Sequence, residues 1–375
     1  MKDKGMQLIP WICLIGGLAA VGLFRLCRND RAAMNWWLDH VSMPYKRFVS
    51  GLTDHLPFST AEVLCTLAGV LILALAVQTI WKLARHAPVN WAGRLVGVCA
   101  FAVWVYAAVC AFWGTQYYGE SFAEKTGLQA QAVSPQTLRA VTFWFRDRVN
   151  ETAGNVPRDE NGLFAVSAEE ILQRADGIYV GMQQQYPALA GPDRKIKKAA
   201  YSKLMSLAGF TGYIFPLAGE TTVNADCPAA LIPATVTHEI SHQRGVAPEQ
   251  EANFCAVRAA ELSGDAVYEY SGWLFGYIHL YNALLRIDQD SALEAARGLC
   301  PQALTDLADN SAYWDARRGF VKTAAQSNYS AFIRGYGQTL GMASYGACVD
   351  LLALCYGEKA LQAYPAEEPG TENLL

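Results

Sequence analysis

Three long uncharged stretches stand out in the first third of the chain, and a different pattern follows them. They cover residues 5–24, 63–81 and 95–119, and each is close to or above the length of about 20 residues that a helix needs to cross a bilayer. Trp and Tyr side chains lie near their ends, as is typical of residues at a membrane–water interface. We therefore predict a membrane anchor over residues 1–119 with three transmembrane helices.

Residues 120–375 show the alternation of apolar and polar positions that is typical of helices with one buried and one exposed face. Ser134 before Pro135 predicts the start of one such helix, because serine caps helices and proline suits their first position. Further helices are predicted over residues 195–207, 234–244, 248–262, 266–285 and 316–340, and a short β-like stretch over 212–224. The pattern predicts a mainly α protein whose second domain contains a small β element.

Composition excludes several classes of protein. The chain of 375 residues is 52% hydrophobic and only 17% charged, whereas about 25% of residues are charged in typical domains. The formal net charge is -4 and no long run of Lys and Arg occurs, which argues against a nucleic-acid partner. The ten cysteines form no CxxC pair, which argues against a cysteine zinc site or a thioredoxin-type site.

Charges around the three stretches leave the membrane orientation open. The side that follows the first stretch carries Arg25, Arg28, Arg31, Lys46 and Arg47, and the opposite side carries Lys2, Lys4, Lys82, Arg85 and Arg94. Because the two sides carry equal numbers of basic residues, the positive-inside rule does not choose between them. The predicted spans contain no acidic or basic residue, which argues against a transporter.

A histidine–glutamate motif, HEISH at residues 238–242, indicates the chemistry of the second domain. His238 and His242 are four residues apart, so on a helix they share one face and can direct two imidazoles at one ion. Zinc accepts such nitrogen ligands at about 2.0–2.1 Å. Glu239 can then take the proton of a water that zinc makes acidic, as this water attacks a carbonyl carbon. The alternative is a pair of buried histidines without a metal.

Gly245 predicts the end of the motif helix, and the segment after it offers a third ligand. Catalytic zinc sites usually have three protein ligands and one water. Pro248 suits the start of a new helix, on which Glu249 and Glu251 are the candidate ligands. Side chains two residues apart on a helix differ by about 200° in direction, so only one of them can face the metal. The residues alone leave both open.

The spacing of Gly245, Glu249 and Asn253 resembles that of the gluzincin clan of zinc metallopeptidases. This resemblance implies a zincin-like fold in which Glu249 is the third ligand, with Glu251 as the alternative. It also implies that Asn253 supports a metal-binding histidine. The sequence Glu-x-Glu-Ala-Asn at residues 249–253 is similar to the Glu-x-x-Ala-Asp motif of membrane-embedded metalloproteases of the CAAX-processing and heat-shock types. This chain has Asn where those families have Asp, so the negative charge at that position is absent.

A wider set of motifs resembles an uncharacterised bacterial membrane family with three N-terminal spans. The motifs are Trp113-Gly-x-x-Tyr117-Tyr118, Gly212-Tyr213-x-Phe215-Pro216, HExxHQRG, EANF and Tyr270-Ser271-Gly272. They extend over nearly the whole chain. This resemblance implies an integral protein of a bacterial cell membrane with gluzincin-like zinc chemistry, and it brings no known substrate.

Together these features predict a membrane-anchored, zinc-dependent peptidase. Its expected cofactor is Zn2+, held by His238, His242 and Glu249, and its expected partners are the lipid bilayer and a peptide or protein substrate. The alternative is a non-catalytic, zinc-containing membrane sensor or scaffold protein. An intact Glu239 argues against this alternative, whereas a fourth protein ligand such as Cys227 would support it.

Catalysis and substrate binding need further groups, for which the sequence offers candidates. Tyr270, His279 and Tyr345 are candidate donors to an oxyanion, although such residues are more often part of a core. Arg244 is either a substrate clamp or a basic residue that interacts with the helix dipole. Residues 215–224 are either an edge strand that aligns the substrate backbone or a core strand.

Overall fold

The chain folds into two compact units. The computed structural model describes residues 2–129, 133–335 and 346–365. The first unit extends to Glu120 and also includes Phe215–Glu220. The second unit contains Ser121–Ile214 and the chain from Thr221 onward. The predicted boundary before residue 120 therefore lies next to the structural one, but the sequence did not indicate that Phe215–Glu220 groups with the first unit.

The first unit is helical, and three of its helices have the length and composition of membrane spans. Its helices are α1 (Lys2–Cys27), α2 (Arg31–Trp37), α3 (Met43–Thr53), α4 (Thr60–Ala84) and α5 (Trp91–Phe112). The candidate spans are Leu8–Cys27, Thr60–Ala84 and Trp91–Phe112. At most 22% of the residues in the apolar window of each span are buried within the protein, as expected of apolar helices that face lipid. The protein is membrane-associated, as the three uncharged stretches predicted.

The third span differs from its prediction at both ends. α5 begins earlier, at Trp91, because the Asn90 side chain accepts a hydrogen bond from the Gly93 amide (2.9 Å) and caps the helix. It ends at Phe112, and a 3-10 helix over Gly114–Tyr117 replaces the predicted last turns. The uncharged stretch therefore predicted a helix that extends further at its C-terminal end than α5 does.

The candidate spans extend beyond the uncharged stretches and so include charged residues near their ends, among them Arg25 in the last turn of α1. Glu62 and Lys82 lie in the first and last turns of α4. Arg94 lies near the start of α5, and its guanidinium donates a hydrogen bond to Oε1 of Gln78 (2.6 Å). These charges are all close to helix ends, where long side chains can reach the membrane surface. The argument against a transporter therefore holds only for the central parts of the spans.

The second unit is mostly helical and contains a small sheet, as predicted. Its elements are α6 (Phe122–Thr126), α7 (Pro135–Thr152), α8 (Ala168–Gln173), α9 (Val180–Gln185), β1 (Lys197–Lys198), α10 (Ser202–Ala208), β2 (Gly212–Phe215), β3 (Glu220–Val223), α11 (Ile232–Gln243), α12 (Glu249–Glu261), α13 (Ala266–Leu284), α14 (Gln289–Arg297), α15 (Pro301–Asp315), α16 (Phe320–Gly335) and α17 (Gly346–Ala363). Ser134 caps α7 by accepting a hydrogen bond from the Thr137 amide (3.0 Å), as its sequence predicted. Buried side chains such as Phe145, Phe254 and Leu280 form one core among the long helices.

The sheet has the strand order β1–β3–β2. β1 and β3 are parallel, with Lys197 opposite Thr222. β3 is the central strand and all of its residues are buried, whereas β2 is an edge strand. Of the two interpretations of residues 215–224, the core strand is therefore the correct one for β3, and the edge strand is the preceding β2.

Two helices begin later than predicted. Residues 195–207 begin with strand β1, because the backbone at Lys197 pairs with β3, and only the second half forms helix α10. The helix predicted over residues 316–340 begins later, at Phe320, because residues 316–319, which include Gly319, separate α15 from α16. The predicted residues after 335 lie outside the described part of the chain. Helical periodicity alone identified neither the break nor the strand.

Candidate metal centre

The motif helix α11 is fixed in the core of the second unit by buried hydrogen bonds. The Tyr179 hydroxyl donates to the Thr237 carbonyl (2.8 Å). The Ser271 hydroxyl accepts a hydrogen bond from the Ala234 amide (3.0 Å) near the start of the helix. Because the helix is held near its start and at its middle, the face that carries the two histidines has a defined direction.

α11 ends in a Schellman motif at Gly245. The Gly245 amide donates to the His242 carbonyl (3.1 Å), and the Val246 amide donates to the Ser241 carbonyl (3.0 Å). Gly245 has a φ of 96°, a conformation that is costly for any residue with a Cβ atom. The predicted helix end at Gly245 is confirmed, and the turn brings the Val246 carbonyl back towards His242.

This turn orients the His242 ring. The Nδ1 atom of His242 lies 2.6 Å from the carbonyl oxygen of Val246. Since a carbonyl oxygen only accepts hydrogen bonds, Nδ1 carries a proton, and in the neutral ring Nε2 keeps its lone pair for a metal. Histidine ligands in metal sites commonly have such a partner at the other nitrogen. The Nδ1 atom of His238 is buried and has no hydrogen-bond partner among the described residues.

Glu249, the first residue of α12, lies close to both His238 and His242. The Nε2 atoms of His238 and His242 are 3.1 Å apart. The Oε2 atom of Glu249 lies 3.3 Å from Nε2 of His238 and 3.7 Å from Nε2 of His242. These three atoms form the one group of potential metal ligands found in the described parts of the chain.

The three separations fit a tetrahedral ion. With bonds of about 2.0–2.1 Å, any two ligands of a tetrahedral zinc ion are about 3.3–3.4 Å apart. The separations of 3.1, 3.3 and 3.7 Å lie on both sides of this value. Two nitrogen lone pairs at such a distance repel unless a cation or a proton lies between them. The donor set and its spacing are therefore suitable for one divalent ion.

Glu251 points away from the histidines. Its Oε2 atom accepts a hydrogen bond from the Phe122 amide (2.9 Å), at the start of α6. Since Glu249 and Glu251 face different sides of α12, the geometry brings Glu249, and not Glu251, to the candidate metal centre. The gluzincin resemblance likewise implied Glu249 as the third ligand.

The structure does not give Asn253 the contact that the resemblance implied. Asn253 follows Glu249 by one turn on α12. The Nδ1 atom of His242 is hydrogen-bonded to Val246, and that of His238 has no partner in the described residues. The support of a histidine ligand therefore comes from a backbone carbonyl and not from the Asn253 amide.

Glu239 lies against the backbone of the edge strand β2. A Cβ atom at Gly212 would lie 2.7 Å from Oε1 of Glu239, so only glycine permits this approach. The Oε2 atom of Glu239 is buried and makes no hydrogen bond to any described residue. Burial raises the pKa of Glu239 above its usual range, although the neighbouring His238 and His242 act to lower it. A raised pKa brings a carboxylate closer to the value that suits a general base at neutral pH.

Glu249 and His242 form an ion pair within the cluster. Burial acts to lower the pKa of His242, but Glu249, Glu239 and the Val246 carbonyl outweigh it and raise the pKa to about 9. Burial acts to raise the pKa of Glu249, but His242 and His238 outweigh it and hold this pKa well below the usual range. A metal ion would therefore replace a proton held between the same atoms.

The cluster is accessible from one side. The side chains of His238 and Glu249 are 15% and 19% exposed, whereas that of His242 is 5% exposed. His242 thus forms the inner wall of the centre, and a small molecule would approach past His238 and Glu249.

Tyr329 is a member of the site that the sequence did not indicate. Its hydroxyl donates a hydrogen bond to Oε1 of Glu249 (2.5 Å). Tyr329 belongs to α16 and lies 80 positions after Glu249. A tyrosine within an ordinary helical pattern gives no sign of such a contact.

Two other predicted site residues have structural partners. The Tyr270 hydroxyl donates to Oδ2 of Asp306 (2.5 Å), which also pairs with Arg158 (2.6 Å). Arg244 forms an ion pair with Asp193 and is buried. Tyr270 and Arg244 are therefore held by internal ion-pair networks, and neither is placed as an oxyanion donor or a substrate clamp.

The remaining candidates differ in their positions. His279 is buried on α13, and burial, with a smaller contribution from His238, lowers its pKa to about 4, so its ring is neutral near pH 7. Tyr345 lies outside the described residues. The Cys227 thiol donates to the Asn224 carbonyl (3.4 Å) and does not belong to the ligand group. No fourth protein ligand therefore joins the cluster within the described part of the chain.

A protein-family comparison agrees with the resemblance to an uncharacterised family. The family model described as "Protein of unknown function (DUF3810)" matches residues 41–353. The chain belongs to this family. The match covers α3 to α16 and so includes His238, Glu239, His242 and Glu249, together with two of the three candidate spans. No curated protein and no solved structure matches this DUF3810 protein.

Proposed function

We propose that this DUF3810 protein is a zinc-dependent peptidase that α1, α4 and α5 anchor in a bacterial cell membrane. The observation that carries the proposal is the spacing of three ligand atoms, from His238, His242 and Glu249, at 3.1, 3.3 and 3.7 Å. Two imidazoles and one carboxylate are the ligands of many catalytic zinc sites, which keep a fourth position for water.

Each residue of the site has a chemical task in this proposal. His238, His242 and Glu249 would hold the zinc ion, which supplies a Lewis acid that makes water acidic and polarises a carbonyl group. Glu239 accepts the proton of the attacking water and passes it to the leaving nitrogen of the peptide bond. Its burial against Gly212 supports this task, because it raises the pKa of the carboxylate.

The edge strand β2 favours a peptide as the substrate. β2 lies at one side of the sheet, and its first residue, Gly212, contacts the side chain of Glu239. An extended peptide can bind to such an edge through backbone hydrogen bonds. Binding in this way would bring a scissile bond close to Glu239 without requiring a particular side chain.

The alternative of a non-catalytic sensor or scaffold has less support. A structural zinc site is usually closed by a fourth protein ligand, and the ligand group of the described residues contains three. Such a site also has no use for Glu239, whose Oε2 atom is buried and bonds to no described residue. A buried carboxylate oxygen without a hydrogen bond is costly, and a water bound beside it during catalysis would satisfy it.

The test is the metal content and peptide cleavage of the detergent-purified full chain. Wild type, Glu239→Gln and His242→Ala are compared on the same peptide library. We expect about one zinc per chain in wild type and Glu239→Gln, loss of zinc in His242→Ala, and cleavage by wild type alone. Zinc binding without cleavage in any sample would favour the sensor or scaffold. Wild type that stays metal-free in the presence of zinc would refute the proposal.

A further inference from the structure

The carboxylate of Glu249 has a different partner at each oxygen. Oε2 lies 3.3 Å from Nε2 of His238 and 3.7 Å from Nε2 of His242. Oε1 points the other way and accepts a hydrogen bond from the Tyr329 hydroxyl (2.5 Å). The hydrogen bond from Tyr329 and the contacts with the two histidines therefore involve different oxygens of Glu249.

The number of carboxylate oxygens that bind matters for the chemistry of the site. A carboxylate can bind a cation through one oxygen or through both. A catalytic zinc ion with three protein ligands needs an open position for water or substrate. If Oε1 of Glu249 also turned towards the ion, it would compete for that position. A hydrogen bond to a charged oxygen is strong, and it holds Oε1 away from the histidines.

Tyr329 comes from a helix that is only lightly attached to the rest of the second unit. None of the described side chains of α16 is buried. The Tyr329 ring packs edge-on against Phe210, with ring centroids 5.7 Å apart, and Lys322 packs close to Gly209 at the end of α10. The position of the Tyr329 hydroxyl therefore depends on the contact of α16 with α10 and the residues after it, and not on core packing.

We propose that Tyr329 is a positioning residue that keeps Glu249 a single-oxygen ligand and so preserves an open coordination position. The inference rests on the proposed metal chemistry of His238, His242 and Glu249. Tyr329 acts through Glu249, whose Oε1 atom accepts its hydrogen bond. Because α16 carries Tyr329, undocking of α16 would free Oε1 and change the ligand geometry without altering the HEISH helix.

The experiment compares Tyr329→Phe with wild type after cobalt replaces zinc. The visible absorption of bound cobalt reports its coordination number, which a purely structural effect would not change. Tyr313→Phe is the matched control, since the Tyr313 hydroxyl also donates to a carboxylate, Oδ2 of Asp226 (2.7 Å), outside the ligand group. Zinc affinity is measured on the same proteins with a competing chelator, and thermal unfolding reports folding.

We expect Tyr329→Phe to show weaker cobalt bands, as for an ion with an added ligand, and an affinity for zinc about tenfold lower. Tyr313→Phe should match the wild-type spectrum and affinity. A cobalt spectrum of Tyr329→Phe identical to that of wild type would refute the role of Tyr329 and leave the proposed peptidase standing. Wild type that binds neither metal would refute the peptidase and this inference together.

Discussion

The Nδ1 atom of His242 lies 2.6 Å from the carbonyl oxygen of Val246, and a single backbone conformation creates this contact. Gly245, between the two residues, has a φ of 96° and turns the chain so that the next carbonyl faces the imidazole. The helix end and the ligand orientation are therefore one structural feature. The sequence HExxHxxG encodes both, since the glycine follows the second histidine at a fixed distance.

Gly245→Ala should weaken metal binding through this backbone turn. A left-handed residue with a Cβ atom costs roughly 1–2 kcal/mol, and relaxation of the turn would move the Val246 carbonyl away from His242. We expect a loss of roughly 1 kcal/mol in stability and a decrease of about tenfold in zinc affinity. The control is Gly264→Ala, because Gly264 has a φ of 71° and open space around it. If both variants bind zinc equally well, the turn does not orient the ligand.

Zinc affinity should rise with pH up to about 9. The pKa of His242 in the metal-free protein is raised to about 9, so zinc must displace a proton from this ring at any lower pH. For one proton, the apparent affinity increases about tenfold per pH unit between pH 7 and 9 and then levels off. Calorimetry in two buffers of different ionisation enthalpy should detect the release of about one proton at pH 7.5. Affinity that is constant over this range would contradict the ion pair.

The raised pKa of His242 also predicts how the stability of the metal-free protein depends on pH. The folded-state pKa of His242, about 9, lies above the ordinary value of 6.5. Protonated His242 therefore contributes to the free energy of unfolding, and this contribution is complete at pH values below 6.5, the ordinary pKa. It is lost as pH rises from 6.5 through 9. Thermal unfolding of chelator-treated wild type should therefore show a falling midpoint over this range, and His242→Ala should lack this component.

Glu249→Gln and Glu251→Gln should separate ligand binding from stability. Glu249 faces His238 and His242, so its amide variant should lose most of its zinc. Glu251 instead accepts a hydrogen bond from the Phe122 amide, so its variant should keep zinc and lose about 1 kcal/mol of stability. Metal analysis and chemical unfolding of the two proteins measure both effects. The opposite pattern would assign the ligand to Glu251.

The predictable part of the site is the part that is local in sequence. His238, Glu239 and His242 follow from helical spacing, and Gly245 follows from the chemistry of helix ends. Glu249 required the family resemblance, because two acidic residues on the same helix turn are equally plausible ligands by composition. The three spans were also predictable, since twenty apolar residues have few other structures available.

The unpredicted part depends on contacts between distant residues. Tyr329 meets Glu249 across 80 positions of chain, and its local pattern is that of any amphipathic helix. The support of His242 comes from the Val246 carbonyl, a group that every residue possesses. Strand β1 has only two residues and exists because Lys197 pairs with Thr222. Such features are set by tertiary packing, which overrides local propensity.

In the proposed peptidase, Gly212→Ala should impair Glu239 as the general base without removing the metal. The added Cβ atom would lie 2.7 Å from Oε1 and 2.8 Å from Cγ of Glu239, so this side chain must move. We expect cleavage to fall by about tenfold or more, because small displacements of a reacting group are costly. Zinc content should remain near that of wild type. Gly154→Ala, where the Cβ atom meets nothing within 4 Å, serves as the control. Unchanged cleavage in Gly212→Ala would show that Glu239 is not confined by β2.

Lys46, in the first unit, is a buried amine, although by sequence it counted among the basic residues that follow the first predicted span. Its side chain on α3 is 2% exposed, and Nζ makes no hydrogen bond to any described residue. The Trp113 ring lies 5.2 Å from Nζ. Burial lowers the pKa of Lys46 to about 7, because a charged amine is poorly solvated in such surroundings.

Lys46→Met should therefore stabilise the protein near neutral pH. A folded-state pKa of about 7, below the ordinary 10.5, means that the unfolded chain binds more protons between these values, so wild-type stability rises with pH from 7 to 10.5. Methionine has a similar length and no charge, and we expect a gain of roughly 1–3 kcal/mol at pH 7 that shrinks towards pH 10. Thermal unfolding in detergent across this range measures it, with the exposed Lys203→Met as the control. Equal midpoints for Lys46→Met and wild type at every pH would mean that the amine is solvated or paired in the folded protein.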